Sequence, residues 1–344
     1  MIRRAFLGMF VVLLAACAPV QQFALTYDDA AKAGFSDNWF TSFDGARLGL
    51  TVHHPAPEPD PQPGFGPSAT QQDTVIVAVH GMNDYAGAFN AAGTWWSEQG
   101  ATVYAYDQRG FGRSPGSGIW PNEDVMRRDL KTAVKVAREL HPGAKVAVVG
   151  ESMGASVAIT TFADDDPPDA DVLVLSGPGL RGWGTLPWLY SVSLWTSAHV
   201  RPAWVVVPPK GVRITPTDNN EKLREMWLDP NVQKTNRIDS VYGVVSIMED
   251  ADARIARLPK TIPTLLTYGA HDEVIPPNGV QRAARKLPDH VKTAYYAKGY
   301  HMLMNDLQAE TAWSDILSFI QNPAAPLPSG SPPLPWKRET PAKR

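Results

Sequence analysis

The sequence predicts an α/β protein: a mostly parallel sheet with helices on both faces and a helical cap inserted between two parts of the core. Three observations carry this. Short β-branched runs alternate with stretches of helical character, the alternation breaks between about Leu180 and Leu258, and it then resumes to about Ile320. Strands that alternate with helices pair in parallel, because each helix must cross over a face of the sheet. An interruption that returns to the same rhythm is an insertion.

Composition bounds the rest. The 344 residues are 44% hydrophobic and 19% charged, which supplies ample apolar material for a core. Thirty-two Lys and Arg against 35 Asp and Glu leave a net charge of −3, so no basic field exists to hold nucleic acid. The one cysteine, Cys17, excludes an internal disulfide framework, a Cys-rich zinc site and a Cys-ligated iron–sulfur cluster. His53, His54, His141, His199, His271 and His290 have no metal-ligand spacing. Neither metal nor cofactor is expected.

In chain order, Arg3 and Arg4 precede an uncharged apolar run from Ala5 to Ala16, the charged start and short apolar region of a secretory signal. That run is too short to span a bilayer, which needs about 20 residues. It ends Leu14-Ala15-Ala16-Cys17, which resembles the bacterial lipoprotein signal. The resemblance implies cleavage of residues 1–16, acyl chains on Cys17, and residues 17–37 as a lipidated tether. It places the protein in a bacterial cell envelope, anchored to the membrane. Ala18 rather than Asp after Cys17 resembles an outer-membrane address.

The folded core is expected to begin at residue 38. Trp39 to His53 alternates about Asp44-Gly45, the turn of a hairpin. Pro55 to Pro67 is too rich in proline for a strand or helix and reads as a surface loop. Strands follow at Thr74–Val79, Thr102–Tyr106, Lys145–Val149 and Val172–Leu175, then at Thr264–Tyr268 and Val291–Tyr296. Helices are expected over Ala88–Gln99, Glu123–Leu140, Met153–Phe162, Gly279–Leu287 and Thr311–Ile320. The first core part therefore spans 38–179, the cap 180–258 and the second core part 259–321. Trp183, Trp188, Trp195, Trp204 and Trp227 concentrate in the cap, where most are expected to pack as cap core and a minority to face substrate. Residues 322–344, rich in proline and basic at the end, are expected to be a disordered tail.

The chemistry is concentrated in three places. Gly150-Glu151-Ser152-Met153-Gly154 follows an apolar strand and opens a helix, the setting of a nucleophile elbow. Two small residues permit a sharp turn, and Ser152 then projects at a helix N-terminus that favours negative charge. A serine needs a base, and the base needs an orienting carboxylate. Asp272 and His301 follow the last two strands, where sites of open α/β sheets form. Ser152, Asp272 and His301 occur in the order found in α/β hydrolases. An oxyanion hole needs two N–H donors, assigned to Met153 after the nucleophile and Met82 after the strand Thr74–Val79. Asp306 is a rival for the acid, Glu151 reads as the variable elbow residue, and His80 as a structural member of the oxyanion loop.

Here a resemblance becomes specific. His80-Gly81-Met82, Tyr106 to Ser114, Gly150 to Gly154, Gly269-Ala270-His271-Asp272 and Gly299-Tyr300-His301 together resemble the monoglyceride lipase/lysophospholipase branch of the α/β hydrolases, also called serine aminopeptidase-like. The resemblance covers about residues 38 to 321. It implies an α/β-hydrolase fold and a serine hydrolase that cleaves carboxylic esters through an acyl-enzyme, on monoacylglycerol-like or lysophospholipid-like lipid esters. Short-chain carboxylesterase, aminopeptidase-like and acyltransferase activities are the alternatives among enzymes. A non-catalytic envelope-binding lipoprotein is the alternative of another class, and the complete set Ser152, Asp272 and His301 argues against it.

Overall fold

The computed structural model describes residues 31–56, 73–207 and 214–337. The signal segment, Cys17, most of the Pro-rich loop and the final residues lie outside them.

The sheet starts with strands β1 (Gly34–Phe35), β2 (Trp39–Thr41) and β3 (Arg47–His53). The turn between β2 and β3 holds Gly45 at φ 78°, the left-handed backbone that glycine adopts without steric cost. Next come β4 (Thr74–Val79), α1 (Asn90–Glu98), β5 (Ala101–Tyr106), α2 (Glu123–Leu140), β6 (Lys145–Glu151), α3 (Met153–Phe162) and β7 (Val172–Ser176). After an excursion the sheet is completed by β10 (Thr264–Gly269), α7 (Pro277–Ala284), β11 (Lys292–Tyr296) and α8 (Ala309–Gln321). The nine strands lie in the order β1-β2-β3-β5-β4-β6-β7-β10-β11. From β5 to β11 every pairing is parallel, and only the N-terminal strands are antiparallel.

Central β4 and β6 are flanked by strands and covered on both faces, which is why they read as continuous apolar runs rather than alternating ones. Two clusters form the core, one on each face. One contains Leu130, Val148, Val157, Leu173 and Leu266, and the other Ile76, Phe89, Trp96, Val149 and Ile316. Helix α3, which starts directly after Ser152, is buried along its whole length. A buried ion pair locks the N-terminal hairpin to this frame: the Arg109 guanidinium reaches Asp44 at 2.6 Å and Asp129 at 2.8 Å.

The excursion between β7 and β10 carries α4 (Trp188–Val200), β8 (Val205–Val206), α5 (Asn220–Leu228), β9 (Asn236–Arg237) and α6 (Ile238–Arg254). Long α6 packs on α3 and holds the excursion to the core. The expectation that the cap tryptophans form cap core is corrected here. Trp188 and Trp227 are each 72% exposed, and Trp195 and Trp204 are also exposed. Along α4 only Ala198 is buried. The helix is apolar on all sides, so its residues outnumber the surface available to cover them.

The C-terminal segment is a second correction. Residues 322–337, expected to be disordered, are seated along β11, the outer strand of the sheet. Tyr295 N–H donates to the Pro332 carbonyl at 2.8 Å, and Leu334 N–H to Thr293 Oγ1 at 3.0 Å. Leu334 is 2% exposed, and the Trp336 ring lies 5.9 Å from those of Tyr268 and Tyr295. Proline, which disqualifies a central strand, is tolerated on a sheet edge because an edge does not need every N–H. The composition concealed an edge cover.

Candidate active site

Each element of the site stands at a C-terminal strand end. β6 delivers Ser152 into a turn at φ 53°, ψ −116°, one of two non-glycine positive-φ residues among those described. Close packing at the elbow explains its glycines. A Cβ on Gly154 would stand 2.1 Å from the Val79 carbonyl oxygen, and one on Gly150 2.8 Å from the Ala155 backbone. Strand and helix could not approach this closely around larger residues. Strain at Ser152 is held by Ser152 N–H donating to Ser176 O at 3.0 Å and Gly179 N–H donating to Ser152 O at 2.9 Å.

His301 follows β11, and its Nε2 accepts from the Ser152 hydroxyl at 2.9 Å. Its Nδ1 donates to Asp272 Oδ2 at 2.7 Å. The other Asp272 oxygen accepts the N–H groups of Val274 at 2.9 Å and Ile275 at 2.8 Å, which fixes the carboxylate in its loop after β10. The structure therefore brings together all three residues that sequence order singled out. Burial opposes a charge on His301, but Asp272, through charge and hydrogen bond, with Glu151 and Asp306 adding, outweighs it and raises the imidazole above its ordinary value.

Asp306 has a different place. Its Oδ2 accepts Tyr300 N–H at 2.8 Å, so it holds the backbone before His301 and leaves the ring to Asp272. Burial pushes Asp306 up to about 6. Glu151, at the end of β6, is completely enclosed; burial and the neighbouring Asp84 push it up to about 8, against the attraction of His301 and Lys222. Asp84 is likewise raised by burial to about 6. Three carboxyls with weakened acidity thus lie about the Ser152–His301–Asp272 cluster, a feature that the sequence did not announce. The one available signal was a glutamate at the elbow, where the preceding strand is apolar and buried.

The loop after β4 carries His80, Met82 and Asn83. His80 donates from Nδ1 to Gly81 O at 2.7 Å and accepts Gln108 N–H at Nε2, 2.8 Å away. Burial pushes it down to about 4, so it is a neutral strut. Asp107 supports the same loop by accepting Ala86 N–H at 2.9 Å, while Arg113 holds Asp107. The segment from Asp107 to Ser114 is thereby a structural brace. Met82 and Met153 N–H have no acceptor among the described residues, which leaves both free to donate to a substrate oxygen. Met153 is the first residue of α3, where unpaired N–H groups and the helix dipole favour an anion.

Residues 70–308 match the family model described as serine aminopeptidase, S33. The chain belongs to the serine aminopeptidase S33 family. It is a serine hydrolase. The chain is 25% identical over 299 residues to the monoacylglycerol lipase of Mycolicibacterium smegmatis, covering 83% of this chain and 96% of that one. Among solved structures, a soluble variant of the Saccharomyces cerevisiae monoglyceride lipase, in complex with a substrate analogue, superposes with a TM-score of 0.66. It is 18% identical, over 86% of this chain and 97% of the other. A carboxyl esterase from Bacillus coagulans, in complex with glycerol, gives a TM-score of 0.63 at 23% identity, over 84% of this chain and 98% of its own. These likenesses establish the α/β-hydrolase fold.

Proposed function

We propose that this hydrolase cleaves carboxylic esters of lipids, monoacylglycerol-like or lysophospholipid-like, with Ser152 as nucleophile, His301 as base and Asp272 as orienting acid. The observation that carries the reading is the continuous hydrogen-bonded line from Asp272 through His301 to Ser152 at a strained elbow. Ser152 Oγ attacks the acyl carbonyl carbon as its proton passes to His301 Nε2, and the carbonyl electron pair moves onto oxygen. Met82 and Met153 N–H groups receive that oxyanion. The C–O bond then breaks, His301 protonates the departing alcohol, and an acyl–Ser152 ester remains. Water, deprotonated by His301, attacks the acyl carbonyl carbon; the C–Oγ bond then breaks, His301 returns the proton to Ser152 Oγ, and the acid is released. Asp272 keeps the Nδ1–H tautomer throughout.

Two further points support a lipid ester. Relatives of similar length are named for monoacylglycerol cleavage. The cap also exposes Trp188, Leu189, Tyr190, Trp204, Trp227 and Leu228, an apolar surface suited to meeting acyl chains. In the same reading Cys17 carries the acyl chains that tether the enzyme to the bacterial envelope, at the outer membrane, where membrane-derived esters are locally concentrated.

The test is kcat/KM across acetyl, butyryl, octanoyl and palmitoyl monoglycerides. A rise beyond acetyl is expected, and a monotonic fall would leave a short-chain esterase. Faster turnover of aminoacyl amides than of any ester would select the peptidase alternative.

A further inference from the structure

One continuous stretch of the excursion, residues 215–233 around α5, is bonded to all three loops that carry the site. Toward the acid loop, Thr215 N–H donates to Glu273 Oε2 at 2.7 Å, one residue past Asp272. Toward the histidine loop, Met302 N–H donates to Pro216 O at 2.9 Å, and Leu307 N–H to Asp218 Oδ1 at 2.8 Å. Toward the oxyanion loop, the Tyr85 hydroxyl donates to Asp229 Oδ2 at 2.6 Å, and Gln233 N–H donates to Asn83 O at 2.8 Å. The first bond of each group touches a residue within three positions of Asp272, His301 or Met82.

The grip on the oxyanion loop is the most constrained. Asn83 stands at φ 68°, a left-handed backbone that asparagine adopts more readily than most residues with a side chain, and its carbonyl is the one Gln233 holds. On the core side the same loop is fixed by His80 on Gln108 and by Ala86 on Asp107. Met82 lies between these core anchors and the cap anchors, so the aim of its N–H depends on both. The cap segment is itself stiff. Asp229 Oδ1 accepts Asn231 N–H at 2.8 Å, and Lys234 Nζ binds the carbonyls of Met226, Asp229 and Val232.

We infer that the segment 215–233 is a clamp that aligns the oxyanion loop with the nucleophile and base, and that Tyr85 and Asp229 are positioning residues acting on the Met82 N–H. A displacement of the cap would break these bonds and misaim the donor while leaving Ser152 on its elbow. Reactivity is thereby tied to the seated position of the cap. The inference rests on the proposed roles of Ser152 and Met82.

The test is a double-mutant cycle on the full chain with Tyr85→Phe and Asp229→Ala, read by kcat, KM and the Ki of a long-chain trifluoromethyl ketone, which forms an oxyanion on the nucleophile. Each single variant should lower kcat about tenfold with KM held within about twofold, and should raise Ki by the same factor as the loss in kcat/KM. The double variant should lose no more than Asp229→Ala alone, because both substitutions remove the Tyr85–Asp229 bond and Asp229→Ala also frees Asn231 N–H. Asp229→Asn, which keeps an acceptor oxygen, should retain most of the activity and guards against loss by misfolding. The inference is overturned if Tyr85→Phe leaves kcat and Ki within about twofold of the parent, or if the two losses multiply. Inactive Ser152→Ala together with an unaffected Tyr85→Phe would remove this inference alone. Active Ser152→Ala would remove the proposed function as well.

Discussion

Asp306 accepts the backbone N–H of Tyr300 at 2.8 Å, while Asp272 holds the ring of the next residue, His301, at 2.7 Å. Two carboxyls near one histidine thus divide its support between main chain and side chain. Only the second fixes the tautomer that leaves Nε2 able to accept the Ser152 proton. Asp272→Asn should therefore cut kcat by about four orders of magnitude. Asp306→Asn keeps an acceptor for Tyr300 N–H and should cost less than about tenfold. Steady-state kinetics of the two variants check this, and the reverse ranking would transfer the acid role to Asp306.

The charges around His301 set a pH dependence. Because its imidazole is raised, the protonated form that cannot act as a base persists to higher pH than for an ordinary histidine. The acid limb of kcat/KM should fall above pH about 6.5. A Glu151 carboxyl raised to about 8 is largely neutral where this limb lies, so Glu151→Gln should leave the limb close to its place in the parent. The same variant has a stability signature. A carboxyl raised to about 8 binds a proton in the folded state that the unfolded chain has already released. Its contribution is therefore present at acid pH and lost as pH rises toward 8. Melting curves should show Glu151→Gln gaining on the parent between pH 5 and 8, roughly the interval between the two pKa values. A constant difference would show that Glu151 does not titrate there.

The C-terminal segment should matter for stability rather than chemistry. Leu334 is buried against the core, and Pro332 covers an N–H of β11. Leu334→Ala should cost about 2–4 kcal/mol in denaturant unfolding. Truncation after Asn322 should lower the melting temperature while the folded fraction keeps its kcat. Unchanged melting on truncation would mean that the segment does not protect the sheet edge.

Anchoring is tested separately. Cys17→Ser should block processing and release the protein from the membrane fraction, while soluble protein beginning after Cys17 should retain esterase activity. An unmodified Cys17 in mature, membrane-associated protein would contradict lipidation.

The α/β class was legible because its signals are local: continuous apolar runs for covered strands, and a G-x-S-x-G turn between strand and helix. Helices α2 and α3 begin and end where their sequence patterns do. The meeting of Ser152, Asp272 and His301 was legible from strand-end position and chain order. Other features depend on contacts that leave no local trace. Tyr85 and Asp229 are 144 positions apart and lie in no motif, so their bond could not be read in advance. The exposure of Trp188 and Trp227 was misread because aromatic residues usually pack together, and nothing local says that a helix lacks a surface to pack on. Residues 322–337 were misread because proline signals the absence of regular structure without distinguishing a free chain from one laid along an edge.

The most direct measurement is peptide mapping by mass spectrometry after the purified enzyme is treated with an alkyl fluorophosphonate. The account predicts one stoichiometric adduct, on the peptide containing Ser152, with loss of ester turnover in parallel, and no adduct or turnover in folded Ser152→Ala. An adduct on a different serine, or ester turnover that survives in Ser152→Ala, would contradict it.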